Sequence, residues 1–147
     1  MRETLQQSID AAHGQVLQAL DGLGNPQAPM PGYEGWSKQD LIAHLSTIET
    51  RIQDQIRAAI DGVAWTPEDV NDYNARQVAA RRGRPLSQLR SEFETQAAAS
   101  QALLASLSEA DLQKPFEHPR RGRITVADLW QIIPTHITNH LKDLQAA

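Results

Sequence analysis

The sequence contains no cysteine among its 147 residues. This absence excludes disulfide bonds, thiolate metal ligands and a cysteine nucleophile, so any sulfur chemistry must use a thiol from another molecule. Aromatic residues are also few, whereas alanine, leucine, isoleucine and glutamine are common, which favours helices. No apolar run approaches the roughly 18 residues of a membrane-spanning helix, and the N-terminus lacks the apolar stretch of a secretion signal. We therefore expect a cytoplasmic protein with no membrane partner.

The chain has no excess of basic residues either. Its formal net charge is −4, whereas a general nucleic-acid-binding protein is usually basic, so we expect no nucleic-acid partner. A length of 147 residues suits one domain, and an apolar content of 40% is enough for a hydrophobic core. Residues 1–147 are therefore predicted to form a single domain.

Apolar residues recur every three or four positions along most of the chain, which is typical of amphipathic helices. This spacing predicts four long helices, over about residues 5–23, 41–60, 86–107 and 126–144, and a shorter helix over about 70–78. No segment shows a convincing alternation of apolar and polar residues. The pattern therefore predicts an all-α helical bundle.

Three helix starts carry a capping motif, in which a hydroxyl residue precedes a carboxylate by three positions between apolar neighbours. The three segments are Ser37-Lys-Gln-Asp40, Thr66-Pro-Glu-Asp69 and Thr125-Val-Ala-Asp128. The last helix also contains Pro134, which predicts a kink. That bend is either simply tolerated or aims the side chains that follow it.

Two histidines, His136 and His140, lie four residues apart on the last predicted helix, so they share one face. A third, His44, lies about two turns into the second helix, and all three are spaced from apolar neighbours so as to face the core. Three neutral imidazoles suit zinc, nickel, iron or copper and leave positions open for water or substrate, as in catalytic sites. The alternative is that these are hydrogen-bonded core histidines whose spacing arose by chance.

The remaining candidate polar residues are predicted to have solvated or structural positions. We expect His13 at the surface or at the core boundary, and Glu49 in solvent. His118 is expected in a solvated loop, although that loop could approach the mouth of a histidine site. Asp40 is explained by its capping motif, with a role in orienting His44 as the alternative.

Two Arg-Arg-Gly-Arg segments, at residues 81–84 and 120–123, precede predicted helices. Guanidinium groups bind carboxylates and phosphates through paired hydrogen bonds. The second segment adjoins the last helix, so Arg120, Arg121 and Arg123 are the candidate anion-binding residues. The alternative is a solvated loop with a chance repeat.

Several motifs together resemble the DinB/YfiT-like superfamily of small helical proteins. They are Trp36-Ser-x-x-Asp40-Leu-x-x-His44-Leu, Asn74, Leu107-Ser-x-x-Asp111-Leu and His136-x-x-x-His140. In helix order and length the resemblance spans essentially the whole chain.

The resemblance implies an up-down-down-up four-helix bundle with a short extra helix, often a homodimer. It implies a divalent metal, commonly zinc or nickel, held by His44, His136 and His140. Several members of the superfamily are transferases or isomerases that use bacillithiol, mycothiol or glutathione, and others are stress-induced or detoxify genotoxic metabolites. The branch resembling mycothiol-dependent maleylpyruvate isomerase often has glutamate where this chain has His136.

These expectations lead to one main functional hypothesis and two alternatives. The main hypothesis is a metal-dependent S-transferase that conjugates a low-molecular-weight thiol to a small electrophilic substrate in detoxification or a stress response. The second is a metal-dependent hydrolase. The third is a non-catalytic protein that sequesters a metal or a small molecule. The sequence names neither the substrate nor the thiol.

Overall fold

The computed structural model describes residues 1–65 and 68–147 of the chain. None of its helices, within these ranges, is long and apolar enough to cross a membrane. In chain order the elements are α1 (Arg2–Asp21), α2 (Lys38–Leu45), α3 (Ile48–Asp61), α4 (Val70–Arg81), α5 (Leu86–Ala105), α6 (Glu109–Leu112), β1 (Pro115–His118), β2 (Gly122–Thr125) and α7 (Val126–Ala146).

The long helices form a four-helix bundle, as predicted. Helix α1 packs against α5 and α7, and α3 packs against the same two helices, so α1 and α3 lie on one diagonal of the bundle. Apolar residues from all four meet in one core, and the largest fully buried side chains include Phe93 and Trp130. The all-α, up-down-down-up bundle is therefore confirmed, with α4 as the short extra helix.

The predicted capping motifs set the starts of α2 and α7. Ser37 Oγ accepts a hydrogen bond from the Asp40 backbone N–H at 3.2 Å, and Asp40 Oδ2 accepts one from the Ser37 N–H at 3.0 Å. Thr125 and Asp128 form the same reciprocal pair before α7. The predicted motif at Thr66 begins outside the described residues. These caps fix the positions of the histidines along their helices.

The predicted second helix is interrupted, which corrects the expectation of one continuous helix. The break falls at Ser46 and Thr47, between α2 and α3. Ser46 Oγ donates to the carbonyl of Ile42 at 2.8 Å, and Thr47 Oγ1 donates to that of Ala43 at 3.0 Å. Such side-chain bonds compete with the helical backbone bonds. The apolar spacing continues across the break, so the sequence pattern did not indicate that the helix is interrupted.

A short antiparallel hairpin precedes α7, although the sequence shows no strand alternation. Strands β1 and β2 pair from Pro115 opposite Thr125 to His118 opposite Gly122. Each strand has four residues, and only Phe116 among these eight is buried, so the strands show almost no alternation of apolar and polar residues. The hairpin carries the turn at residues 119–121 toward the start of α4.

Candidate metal centre

The three predicted histidines converge at one end of the bundle. His44 comes from α2, and His136 and His140 come from α7. The Nε2 atom of His136 lies 3.1 Å from that of His44 and 2.9 Å from that of His140. One ligand nitrogen from each residue lies within 4.8 Å of the other two. The fold therefore brings together side chains that are 92 residues apart in sequence.

This arrangement fits a divalent metal ion. Two nitrogens bound to zinc at about 2.0–2.1 Å lie roughly 2.8–3.4 Å apart for bond angles between 90° and 110°. The two observed Nε2 separations, 3.1 and 2.9 Å, lie within that range. Burial lowers the pKa of His136 to about 3, with a further contribution from His140. Burial likewise lowers the pKa values of His44 and His140, so all three rings are neutral near pH 7, as metal ligands must be.

A hydrogen-bond chain sets the tautomer of His140. The Tyr33 hydroxyl lies 2.7 Å from Nδ1 of His140 and also donates a short hydrogen bond to Oδ2 of Asp143. A hydroxyl has one proton to donate, so Tyr33 accepts from His140 Nδ1–H. Burial, and then Asp143, raise the pKa of Tyr33, which keeps its proton in place. Nε2 of His140 therefore presents its lone pair to the cluster.

The ring of His44 is almost fully buried and is held by neighbours other than Asp40. Its Nδ1 atom and Oδ1 of Asn74 are both buried, and neither has a hydrogen-bond partner of good geometry among the described residues. The Asn74 side chain favours the protonated form of His44, although burial and the neighbouring histidines dominate and lower its pKa. The Trp36 ring packs at 5.5 Å from the His44 ring. Asn74 thus lies close enough to His44 to affect its pKa, although the two side chains form no hydrogen bond in this structure.

Asp40 does not contact His44 through a hydrogen bond, which corrects the alternative role considered for it. Its Oδ2 atom accepts from the Ser37 backbone, and its Oδ1 atom pairs with Arg82 Nε at 3.5 Å. Both oxygens are thus occupied by the helix cap and an ion pair. Tyr33, which contacts His140, and Asp143, which accepts from Tyr33, were missed by sequence reasoning. Asp143 lies three residues after His140 and could have been noticed, but nothing near Tyr33 marks it.

A cavity of about 330 Å³ opens beside His136. Its walls come from α3, the start of α4, the hairpin turn and α7, and we call it the His136 cavity. The polar residues on its walls are Arg51, Gln55, Glu68, Asp69, Asn71, Asn74, His118, Arg120, Arg121 and His136. A larger open depression of about 800 Å³ has Tyr33 and Trp36 in its wall but none of the three histidines.

The predicted anion-binding arginines separate into two groups. Arg120 and Arg121 line the His136 cavity, whereas Arg123 is exposed and lies 3.9 Å from Glu117 across the hairpin. Arg123 is therefore not part of the cavity wall, because the strand directs it away. His118 was expected in a solvated loop. In the structure it is half-buried and lines the cavity.

The first Arg-Arg-Gly-Arg segment is occupied by internal ion pairs. Arg81 and Arg84 both bind the Glu92 carboxylate, at 2.8 and 2.6 Å, and Arg82 pairs with Asp40. These contacts tie the end of α4 to α5 and α2. Arg82 and Gly83 are exposed, so the segment is partly solvated, and none of its residues lines the His136 cavity.

His13 and Glu49 are buried, contrary to expectation. His13 Nε2 lies 2.8 Å from Glu49 Oε1, and Ser100 Oγ donates to the same oxygen at 2.7 Å. Gln53 in turn donates to Ser100 Oγ at 2.8 Å. This network joins α1, α3 and α5 inside the bundle. Because the serine bonds the carboxylate rather than the histidine, it lacks the nucleophile–base contact of a catalytic triad.

Comparison with solved structures identifies similar folds. The mycothiol-dependent maleylpyruvate isomerase matches with a TM-score of 0.82 and 17% sequence identity. The match covers 98% of this chain and 60% of the isomerase chain. YfiT from Bacillus subtilis, described as a probable metal-dependent hydrolase with an unusual four-helix bundle topology, matches with a TM-score of 0.78 and 15% identity over 99% of this chain and 84% of that one. At these identities the matches show the fold.

Comparison with the sequences of curated proteins gives no match. Among protein families, the model for the mycothiol maleylpyruvate isomerase N-terminal domain matches residues 7–145, which is nearly the whole chain and includes the three histidines. The fold, the order of the motifs and this match agree with the superfamily resemblance. The chain therefore belongs to the family of the mycothiol maleylpyruvate isomerase N-terminal domain.

Proposed function

We propose that this protein is a divalent-metal-dependent enzyme that transfers a low-molecular-weight thiol to a small electrophilic substrate, in detoxification or a stress response. The observation that carries the proposal is the convergence of three neutral imidazole nitrogens beside an open cavity. Three protein ligands leave room for a further ligand, as in catalytic rather than structural sites. Zinc and nickel are the metals proposed, since both accept imidazole nitrogen.

Each residue around the cluster has a separate task in this proposal. His44, His136 and His140 would hold the metal, and Tyr33 would hold the outer proton of His140. When bound, the metal would lower the pKa of a thiol and so supply a nucleophile at neutral pH. The chain has no cysteine, so that thiol comes from a second molecule. The cavity beside His136 would receive the electrophile.

The solved relatives support this proposal and also define its main alternative. One is named for a mycothiol-dependent isomerase and the other is described as a probable metal-dependent hydrolase. This chain spans 60% of the isomerase chain, so that enzyme's whole activity does not transfer with the fold. The same site could activate water, and we keep metal-dependent hydrolysis as the second candidate. A homodimer is also proposed, on the family resemblance.

A conjugation assay separates these functions. Metal-loaded protein would be incubated with a model electrophile and with glutathione, mycothiol or bacillithiol, and both the thioether and the hydrolysis product would be measured. Thiol transfer predicts a thioether that depends on metal and on one of the thiols. Hydrolysis without a thiol would favour the alternative. Tight binding with no turnover would instead indicate sequestration.

A further inference from the structure

Two aromatic rings lie between the histidine cluster and the open depression of about 800 Å³. Tyr33 and Trp36 both line that depression, whereas the three histidines do not. The Tyr33 ring also packs at 5.7 Å from the ring of His140, and the Trp36 ring packs at 5.5 Å from that of His44. The two aromatic rings stack on each other at 5.9 Å. This pair of rings therefore forms the wall between the depression and the candidate metal position.

Trp36 is a fixed part of this wall, because it lies at the base of its loop. Its carbonyl accepts a hydrogen bond from the Met30 N–H at 2.9 Å, and Pro29 pairs with Ser37 in an isolated bridge. Met30 is 3% exposed and belongs to the core, and Ser37 caps α2. These contacts hold the base of the loop to the bundle.

Tyr33 lies instead in residues 31–35, which we call the strap and which are mostly exposed. Within the described part of the chain, two attachments join the strap to elements outside its loop. The Tyr33 hydroxyl contacts two side chains of α7, and Arg82 donates to the Gly35 carbonyl at 3.4 Å. A segment with few contacts and an exposed backbone opens at a low cost in free energy. The Tyr33 hydroxyl is therefore the main contact that keeps the strap closed.

The strap has a glycine on each side of the residue that closes it. Gly32 and Gly35 have φ angles of 82° and 74°, which glycine adopts far more readily than other residues. A Cβ atom at either position would meet nothing within 4 Å, so neighbouring atoms leave the backbone room to rotate. Small residues often form the hinges of loops that cover a site. The strap thus has two hinges with Tyr33 between them.

The depression is also the side from which a cation approaches more favourably. Glu34 and Asp40 line it together with one arginine, Arg82. Asp143, which accepts from the Tyr33 hydroxyl, adds a carboxylate beside it. The wall of the His136 cavity instead has three arginines and two carboxylates. A surface that concentrates one sign of charge attracts ions of the opposite sign, so a metal ion is drawn to the strap side.

We propose that the strap is a gate through which a divalent metal ion passes between the depression and the histidine cluster. In the closed state Tyr33 binds Asp143 and covers His140. Opening breaks the bond to Asp143 and moves the ring away from His140. Asp143 is therefore a latch that sets how often the strap opens, and it does not set how tightly the metal is held. This inference rests on the metal site of the proposed function, but on no catalytic activity.

The rates of zinc exchange in Asp143→Ala test the gate. Loss of one latch hydrogen bond should raise both the uptake rate and the release rate to excess chelator by about three- to tenfold, and leave the dissociation constant within about twofold. A residue that only oriented His140 would instead weaken zinc binding by raising the release rate alone. Lys142→Ala, which removes the neighbouring exposed side chain on the same helix, should exchange zinc at the wild-type rates.

The motion of the strap is measurable in metal-free protein of wild-type sequence. The chain has two tyrosines, so labelling with fluorotyrosine gives two fluorine resonances. The Tyr33 resonance should show exchange on the microsecond-to-millisecond timescale of lid motions. Tyr73 is the internal control and should show none, because its hydroxyl donates to the Thr47 carbonyl at 2.8 Å.

Three results would overturn the gate: no exchange at Tyr33, zinc exchange in Asp143→Ala at the wild-type rates, or faster release in that variant without faster uptake. A wild-type protein that binds no zinc would overturn the gate together with the proposed metal site. Because no turnover is measured, zinc binding without catalysis would refute only the proposed function.

Discussion

At the scale of single residues, the proposed metal centre depends on groups that do not touch the metal position. Tyr33 lies in the loop between α1 and α2, yet its hydroxyl contacts the ring of His140. The residue carries no sequence signal, because its role exists only once the loop has folded over α7. The histidines were predictable, since they follow helical spacing, whereas the residues that orient them were not.

Replacing Tyr33 by phenylalanine should lower the affinity for zinc by about 10–100-fold. The variant keeps the ring but loses the acceptor that holds the Nδ1 proton of His140, so the lone pair on Nε2 is no longer fixed. Competition with a chelator of known affinity measures the change. Tyr73→Phe is the matched control, because that hydroxyl bonds the Thr47 carbonyl instead. Equal zinc affinity for wild type and Tyr33→Phe would exclude this role.

At the scale of elements, apolar spacing and capping motifs were enough to predict the bundle. The periodicity correctly predicted the positions of α1, α4, α5 and α7. Burial of one helix face requires apolar residues at regular intervals, and these intervals are visible in the sequence. The break at Ser46 and Thr47 left no trace in the sequence, because the apolar spacing continues across it. The hairpin was also missed, because its strands are too short to alternate.

The burial of His13 and Glu49 was missed for a different physical reason. A prediction from helical spacing places apolar residues in the core, and it therefore assigns a charged residue such as Glu49 to the solvent-exposed face. Here Glu49 is 1% exposed, because Ser100 and His13 supply hydrogen bonds from two other helices. A polar core network is a tertiary feature, and its members cannot be paired from helical periodicity alone.

Removing His13 should destabilise the protein strongly. His13→Ala leaves the Glu49 carboxylate buried with one fewer partner, and breaking a buried pair in this way costs about 3 kcal/mol or more in the free energy of unfolding. Urea denaturation monitored by circular dichroism measures the loss. Gln101→Ala, a partly buried polar substitution outside the network, should cost far less. A loss below about 1 kcal/mol for His13→Ala would show that the network does not hold the helices together.

At the scale of the whole molecule, the histidine cluster makes folding depend on pH. Burial holds the pKa values of His44, His136 and His140 below the ordinary value of 6.5 in the folded protein, to about 3 for His136. In the unfolded chain the same groups take up protons near pH 6.5. The unfolded state therefore binds more protons below that pH, so the free energy of unfolding must fall as the pH falls.

Metal-free protein should accordingly lose stability between pH 7.5 and pH 5.5. Each histidine contributes up to about 1.4 kcal/mol per pH unit below its unfolded pKa. Urea midpoints across this range measure the slope. A variant with glutamine at positions 44, 136 and 140 is the control, and it should show a clearly smaller slope. The same slope in both proteins would mean that these histidines are not held neutral.

Elemental analysis of purified protein tests whether three histidines from two helices form one metal site. We expect about one zinc or nickel ion per wild-type chain, and a large loss of metal in each of His44→Ala, His136→Ala and His140→Ala. His118→Ala, which alters the cavity wall but not the cluster, should keep its metal. Metal content that is unchanged in all three histidine variants would show that these histidines do not bind the metal.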